Sequence, residues 1–245
     1  MKRIIEQWKL VVSISLLSVL MAHAPAAHAD SRMVLGDILK KTEQYYQQLQ
    51  AFTAYFQQHT TSSVASGMTT VAGGKLYYQK PRQMRWEYDK PDPQVFVANQ
   101  YLAWLYVPAD KQASLIEAKS FFSSPLAQAF FDGVTELRRH FEVSLDPSRS
   151  SKASAVLKLI PKTEDAGIKS LFLWIDLETH QILTVESLDA LGNTNRITLK
   201  SQKGVASLDP KLFQMDLPPS TAVVDSDGRV LSKEELDQLR LKLQL

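Results

Sequence analysis

Cysteine is absent from all 245 residues, so this chain has no disulfide, no zinc–thiolate centre, no cysteine nucleophile and no cysteine to acylate. Long hydrophobic runs are missing too. The most apolar stretch, residues 10–21, is broken by Ser13, Ser15 and Ser18 and falls short of the ~20 residues a transmembrane helix needs. Nor does one sign of charge prevail: 28 Lys and Arg face 26 Asp and Glu. Loss of residues 1–29 would take away Lys2, Arg3, Lys9 and Glu6 and leave the two signs equal. A balanced chain without a basic block argues against nucleic acid and against a polybasic membrane patch.

Catalytic constellations are equally scarce. Beyond residue 30 only His59, His140 and His180 remain, far apart and without the i+2 or i+4 partners of a zinc site. No Gly-x-Ser-x-Gly elbow occurs, and Gly73-Gly74 lacks phosphate-loop spacing. The acidic pairs Glu164/Asp165 and Glu234/Glu235 fall in a polar turn and on a helix face, where solvation accounts for them. The pattern is that of a protein that is not an enzyme and holds neither metal nor cofactor. Asp225, Asp227, Gly228, Val230 and Glu234 do match the second half of a calcium-binding loop. Its first ligand position is Val223, however, and prolines replace the incoming helix. An Asp-Gly turn before a helix capped by Ser232, with Glu235 three residues on, accounts for the segment better.

What is present begins with an address. Positive residues, an apolar run and the small-x-small pattern Ala27-His28-Ala29 predict a signal peptide over residues 1–29, cleaved to leave Asp30 as N-terminus. The competing Ala22-His23-Ala24 is followed by Pro25, which hinders cleavage. Residues 35–49 have helical periodicity, and residues 52–59 alternate as a strand with Phe52, Ala54 and Phe56 on one face. Further strands are expected up to Tyr78 and over 84–88, 95–98, 102–107, 112–118, 139–145, 155–160, 170–176, 182–188 and 196–200. A short helix, capped by Ser124 and stopped by Gly133, interrupts them. Strands joined by short turns predict an antiparallel meander. Residues 30–228 read as one domain, and residues 229–245 as a C-terminal amphipathic helix or tail whose Leu236, Leu239 and Leu243 share a stripe.

The richest segment runs from Lys75 to Tyr88. Leu76 and Tyr78 share one face of a strand, and Met84, Trp86 and Tyr88 share one face of the next, across a Lys80-Pro81-Arg82 turn. So much aromatic and sulfur surface on one side has to be covered, by helices, a partner or an apolar ligand. A dry core satisfies the same pattern, and only an unfilled remainder can bind.

Several segments in order resemble the LolA-type periplasmic outer-membrane lipoprotein carriers. They are Leu49-Gln-Ala-Phe-Thr-Ala-Tyr-Phe-Gln-Gln58, the stretch from Gly74 to Trp86 with Lys90-Pro-Asp92 after it, and Trp104-Leu-Tyr-Val-Pro108. Leu157-Lys-Leu-Ile-Pro-Lys162, Asp189-Ala-Leu-Gly-Asn193 and Leu208-Asp-Pro-Lys-Leu-Phe-Gln-Met-Asp-Leu-Pro-Pro219 complete the series. The resemblance implies a mainly β fold with a few α-helices (α+β): an unclosed, strongly curved antiparallel half-barrel covered by a helical lid. It implies a monomer in the periplasm whose apolar cavity takes the acyl chains of lipoproteins. Its expected partners are an inner-membrane ABC-type release complex, which delivers the cargo, and an outer-membrane acceptor lipoprotein, which receives it. No cofactor is implied. The cavity is expected to be lined by Leu76, Tyr78, Met84, Trp86 and Tyr88, joined by Phe96, Leu102 and Trp104. Leu126, Phe130 and Phe131 on the short helix are expected to form its moving cover. In the family a basic residue before the hairpin proline latches the lid. Here that position is Lys80, where well-studied members have arginine, and Arg82 is a substitute. A carrier of another lipid or glycolipid, and a lipid-sensing domain regulating envelope stress, are the alternative readings.

Overall fold

The computed structural model describes residues 26–64, 67–117, 134–163 and 167–243. Helix α1 (Ala26–Gln48) leads into a meander of β1 (Ala51–Thr61), β2 (Thr69–Gln79), β3 (Gln83–Lys90), β4 (Gln94–Ala98), β5 (Leu102–Val107) and β6 (Gln112–Glu117). Helix α2 (Val134–His140) opens a second meander of β7 (Phe141–Leu145), β8 (Ser154–Pro161), β9 (Ile168–Asp176), β10 (Ile182–Asp189) and β11 (Thr194–Val205). Strand β12 (Ala222–Val224) and helix α3 (Lys233–Leu243) follow. All twelve strands form one sheet in the order β12-β6-β5-β4-β3-β2-β1-β11-β10-β9-β8-β7, unclosed because β7 and β12 are edges. The molecule is the expected half-barrel.

Local chemistry explains the joins. Strands β1 and β11 pair along nearly their whole length, from Ala51 opposite Val205 to Thr61 opposite Thr194, and so weld the two meanders together. On β1, Ala51, Phe52, Ala54 and Phe56 are buried while Tyr55 faces solvent, the period-two pattern of a strand with one packed face. The register slips between Gly73 and Gly74. A Cβ on Gly74 would run into the Glu87 carbonyl, so only glycine lets β2 and β3 approach there.

Three clusters share the core. Ile38 and Leu39 of α1 and Leu137 of α2 lie on Phe141, Leu157, Leu159, Leu171, Leu173 and Ile175, covering the β7–β10 half of the concave face. Phe52, Ala54, Phe56, Leu76, Tyr78, Met84 and Leu199 make the second, on the concave face of β1–β3 and β11. The third, Leu102, Trp104, Ala113, Leu115 and Val223, is on the opposite, convex face.

The structure departs from the sequence reading in three places. Helix α1 starts at Ala26, upstream of the expected residue 35, and runs through Ala29 and Asp30. The expected strand over 139–145 begins only at Phe141, because Arg139 and His140 close α2. Strand β12 pairs parallel to β6, so the sheet is not wholly antiparallel. The chain after β11 crosses the convex face to reach β6 from the same direction: Leu208 N–H donates to Gln79 Oε1 at 2.6 Å and Arg85 Nη1 donates to the Leu212 carbonyl at 3.2 Å.

The segment that half-matches a calcium loop is a tight turn. Asp225 accepts from the backbone N–H of Asp227 at 3.1 Å and of Arg229 at 2.9 Å, and Gly228 takes φ +79°. Ser232 Oγ accepts from Glu235 N–H at 3.2 Å while Glu235 Oε2 accepts from Ser232 N–H at 2.8 Å, the reciprocal cap expected for α3.

Candidate functional site: the concave aromatic face

Register carries one face across four strands. Leu76 sits opposite Trp86, Tyr78 opposite Met84, and Gly74 opposite Tyr88. Trp86 in turn sits opposite Phe96. Phe52, Ala54 and Phe56 of β1 lie opposite Tyr78, Leu76 and Gly74. The Phe56 ring, opposite Gly74, meets Trp86 edge-on at 4.6 Å and Tyr88 edge-on at 4.8 Å between centroids. Phe52 and Tyr78 rings are 5.2 Å apart. Leu76, Tyr78 and Met84 are buried, whereas Trp86, Tyr88 and Phe96 are only partly so. The floor of the face is therefore packed and its aromatic upper part is accessible.

The expected lining residues divide. Leu76, Tyr78, Met84, Trp86, Tyr88 and Phe96 come together on the concave face. Leu102 and Trp104 do not join them. Ala98 pairs with Ala103 and Phe96 with Leu105, which turns Leu102 and Trp104 to the convex face. There they are buried under Met215, Leu217, Leu231, Leu236 and Leu239. Leu126, Phe130 and Phe131 lie outside the described residues.

One end of the concave face is shut by α1. The Tyr46 hydroxyl accepts from Ile182 N–H at 3.1 Å, and Gln181 Nε2 donates to the Tyr45 hydroxyl at 2.8 Å. Burial pushes the Tyr46 phenol well above its ordinary range, so it stays a neutral hydrogen-bonding group. Lys80 Nζ donates to the carbonyls of Tyr46 at 2.6 Å and Gln47 at 3.0 Å, tying the hairpin turn to the last turn of α1. The ammonium also meets the negative end of the helix dipole there. Partial burial holds the Lys80 pKa below the usual lysine range. Arg82 is exposed, with φ +50°, in the same turn. Toward the other end of α1 a cavity of about 350 Å³ opens between Val34, Ile38 and Lys41 and the turns carrying Leu145, Pro147, Leu177 and His180.

Two features were not anticipated from sequence. That cavity depends on how α1 lies over distant turns, for which no local signal exists. A polar string on the concave face was closer to hand: Gln58 continues the Phe52, Ala54, Phe56 alternation, and its amide joins Tyr88 to Asn195.

The fold and its site define a class, an open β-sheet with a partly exposed aromatic inner wall under a helix tied at one end. Comparison with known proteins specifies the class. The LolA family model, described as outer membrane lipoprotein carrier protein LolA, matches residues 47–216, and the chain belongs to that family. The family is one of carriers, not enzymes. An outer-membrane lipoprotein carrier protein of Methylococcus capsulatus is 28% identical over 155 residues, 63% of this chain and 72% of its own length. That of Pseudomonas aeruginosa is 26% identical over 204 residues, 82% of this chain and 92% of its own. Among solved structures, an uncharacterized conserved protein from Thermus thermophilus shares the fold with a TM-score of 0.51 at 15% identity, covering 78% of this chain and 99% of that one.

Proposed function

We propose that the concave face carries the acyl chains of lipoproteins across the periplasm. The observation that supports this most directly is the partly buried Trp86, Tyr88 and Phe96 above a packed floor, in a chain of a lipoprotein-carrier family. An acylated anchor costs about 0.8 kcal/mol per methylene exposed to water, so tens of methylenes cannot cross an aqueous space bare. Aromatics and Met84 suit chains that must be held without one fixed geometry and then released.

In this reading residues 1–29 are the signal peptide, cleaved after Ala29. An inner-membrane ABC-type complex loads the carrier, which unloads to an outer-membrane acceptor lipoprotein. Lys80 latches α1 over the face with Arg82 beside it, and Leu126 and Phe130 contribute to the cover. The test is purification from the envelope followed by mass spectrometry of co-purifying lipid, together with release of lipoproteins from spheroplasts. Acylated polypeptides and active release are expected. Glycolipid alone, or clean protein that strips nothing, would overturn the proposal.

A further inference from the structure

The carrier reading leaves one part of the concave face unused. Going along β1 from Phe52 through Phe56, the face turns from apolar to polar at Gln58 and Thr60, with Tyr88 of β3 on one side and Asn195 of β11 on the other. These side chains form a directed string. The Tyr88 hydroxyl donates to Gln58 Oε1 at 3.0 Å, and Gln58 Nε2 donates to Asn195 Oδ1 at 2.9 Å. Thr60 Oγ1 donates to the same oxygen at 3.4 Å. Every link points toward Asn195. Its oxygen is fully used, while its Nδ2 donates to nothing among the described residues. A string that ends in an N–H donor is polarised by the donors behind it and is complementary to a carbonyl oxygen.

We propose that Asn195, held by Gln58 and Thr60, binds a carbonyl of an acylated glyceride, so that the chain runs from there over Phe56 and Trp86 toward Tyr78 and Met84. The inference rests on the carrier reading and adds the polarity of the cargo within it. Dimensions agree: Phe52 to Gln58 spans about 20 Å at the rise of a strand, the reach of an extended long-chain acyl group. Chemistry agrees as well. A lipid tail needs no hydrogen bond, but each ester at its head carries an acceptor that loses water on entering an apolar face.

The experiment measures the affinity of the full chain for a synthetic triacylated cysteinyl peptide and for its analogue in which the two glyceryl esters are ethers. Wild-type protein is expected to prefer the ester form by about tenfold, one net hydrogen bond. Asn195→Leu is expected to bring the ester affinity down to the ether value. Asn195→Asp, which keeps the shape and replaces the donor by an acceptor, is expected to do the same and guards against a folding defect in the first variant. Equal affinity of wild type for ester and ether, or a preference that survives both substitutions, overturns the inference and leaves the carrier reading standing. Failure of wild type to bind either peptide overturns both.

Discussion

At the Lys80 turn a single ammonium meets the carbonyls of two successive residues, Tyr46 and Gln47, at 2.6 and 3.0 Å. A carboxylate partner would favour the planar fork of arginine, but carbonyls at the end of a helix ask only for donors in roughly the right direction, and a lysine carries three. A lysine therefore suffices to tie this turn to the end of α1. Lys80→Met keeps the aliphatic stem and removes both bonds. It is expected to lower stability by about 1–2 kcal/mol, the value of hydrogen bonds to a partly exposed charged group. It is also expected to speed amide exchange in the last turn of α1, where Leu49 N–H is bonded to the Tyr45 carbonyl. Tyr45, Tyr46 and the Ile38–Leu39 contacts keep the helix docked, so the variant folds. Hydrogen exchange read by mass spectrometry checks this; a last turn exchanging as in wild type would show that Lys80 holds nothing.

Among the elements, turns after strands and the cap of α3 hold the depressed carboxylates. Asp146, Asp176 and Asp189 each fold their carboxylate back onto the turn that follows a strand. The Ser148 hydroxyl lowers the Asp146 pKa, the Thr179 backbone N–H that of Asp176, and the Asn193 side-chain amide that of Asp189, each helped by neighbouring N–H groups. A carboxyl depressed in the folded state adds stability above its unfolded value of about 3.9 and loses it as pH falls through the folded one. The melting temperature is therefore expected to hold near neutrality and fall once the pH drops below about 4. In Asp176→Asn the fall is expected to be shallower from a lower starting point. Thermal melts between about pH 7 and pH 3 provide the check, and an identical acid slope in the variant would contradict it. The Asp189 turn was also a legible part of the chain, since Asp-x-x-Gly-Asn announces itself locally. The aromatic face of β2 and β3 was legible because only one side of each strand is apolar. Strand β5 was not: Leu102, Ala103, Trp104 and Leu105 are apolar on both sides, so alternation cannot say which side is concave. That parity is set by the Asn99 turn, whose side chain accepts from Tyr101 and Leu102 N–H. Strand β12 is three residues long with no period to read, and its partner β6 is far away in sequence.

For the molecule as a whole, the half-barrel has two apolar sides and one chain to cover both. The concave side receives α1. The convex side of β5 and β6 receives the C-terminal tail: Phe213 is buried, Met215 and Leu217 follow it over Trp104, and β12 closes the edge of β6. Past the Asp225 turn the chain doubles back, with Leu231 N–H on the Val223 carbonyl at 2.8 Å and Val230 bridged to Val224. Helix α3 then lays Leu236 and Leu239 on the same cluster, while Leu241 on its other side is exposed. Docking rather than partner binding thus uses the inward leucines, and Trp104 belongs to the outer wall, separated by the sheet from the concave aromatic wall. Removing residues 229–245 uncovers that cluster. It is expected to cost about 2–4 kcal/mol, the worth of three partly buried leucines, Leu231, Leu236 and Leu239, and a lost bridge, with a lower melting temperature and more binding of an apolar dye. Acyl-peptide affinity is expected to persist, because nothing on the concave side is touched. A truncated chain that melts like the full one yet no longer transfers cargo would instead make α3 a surface that partners read, and the tail would then be covering its own wall without its help.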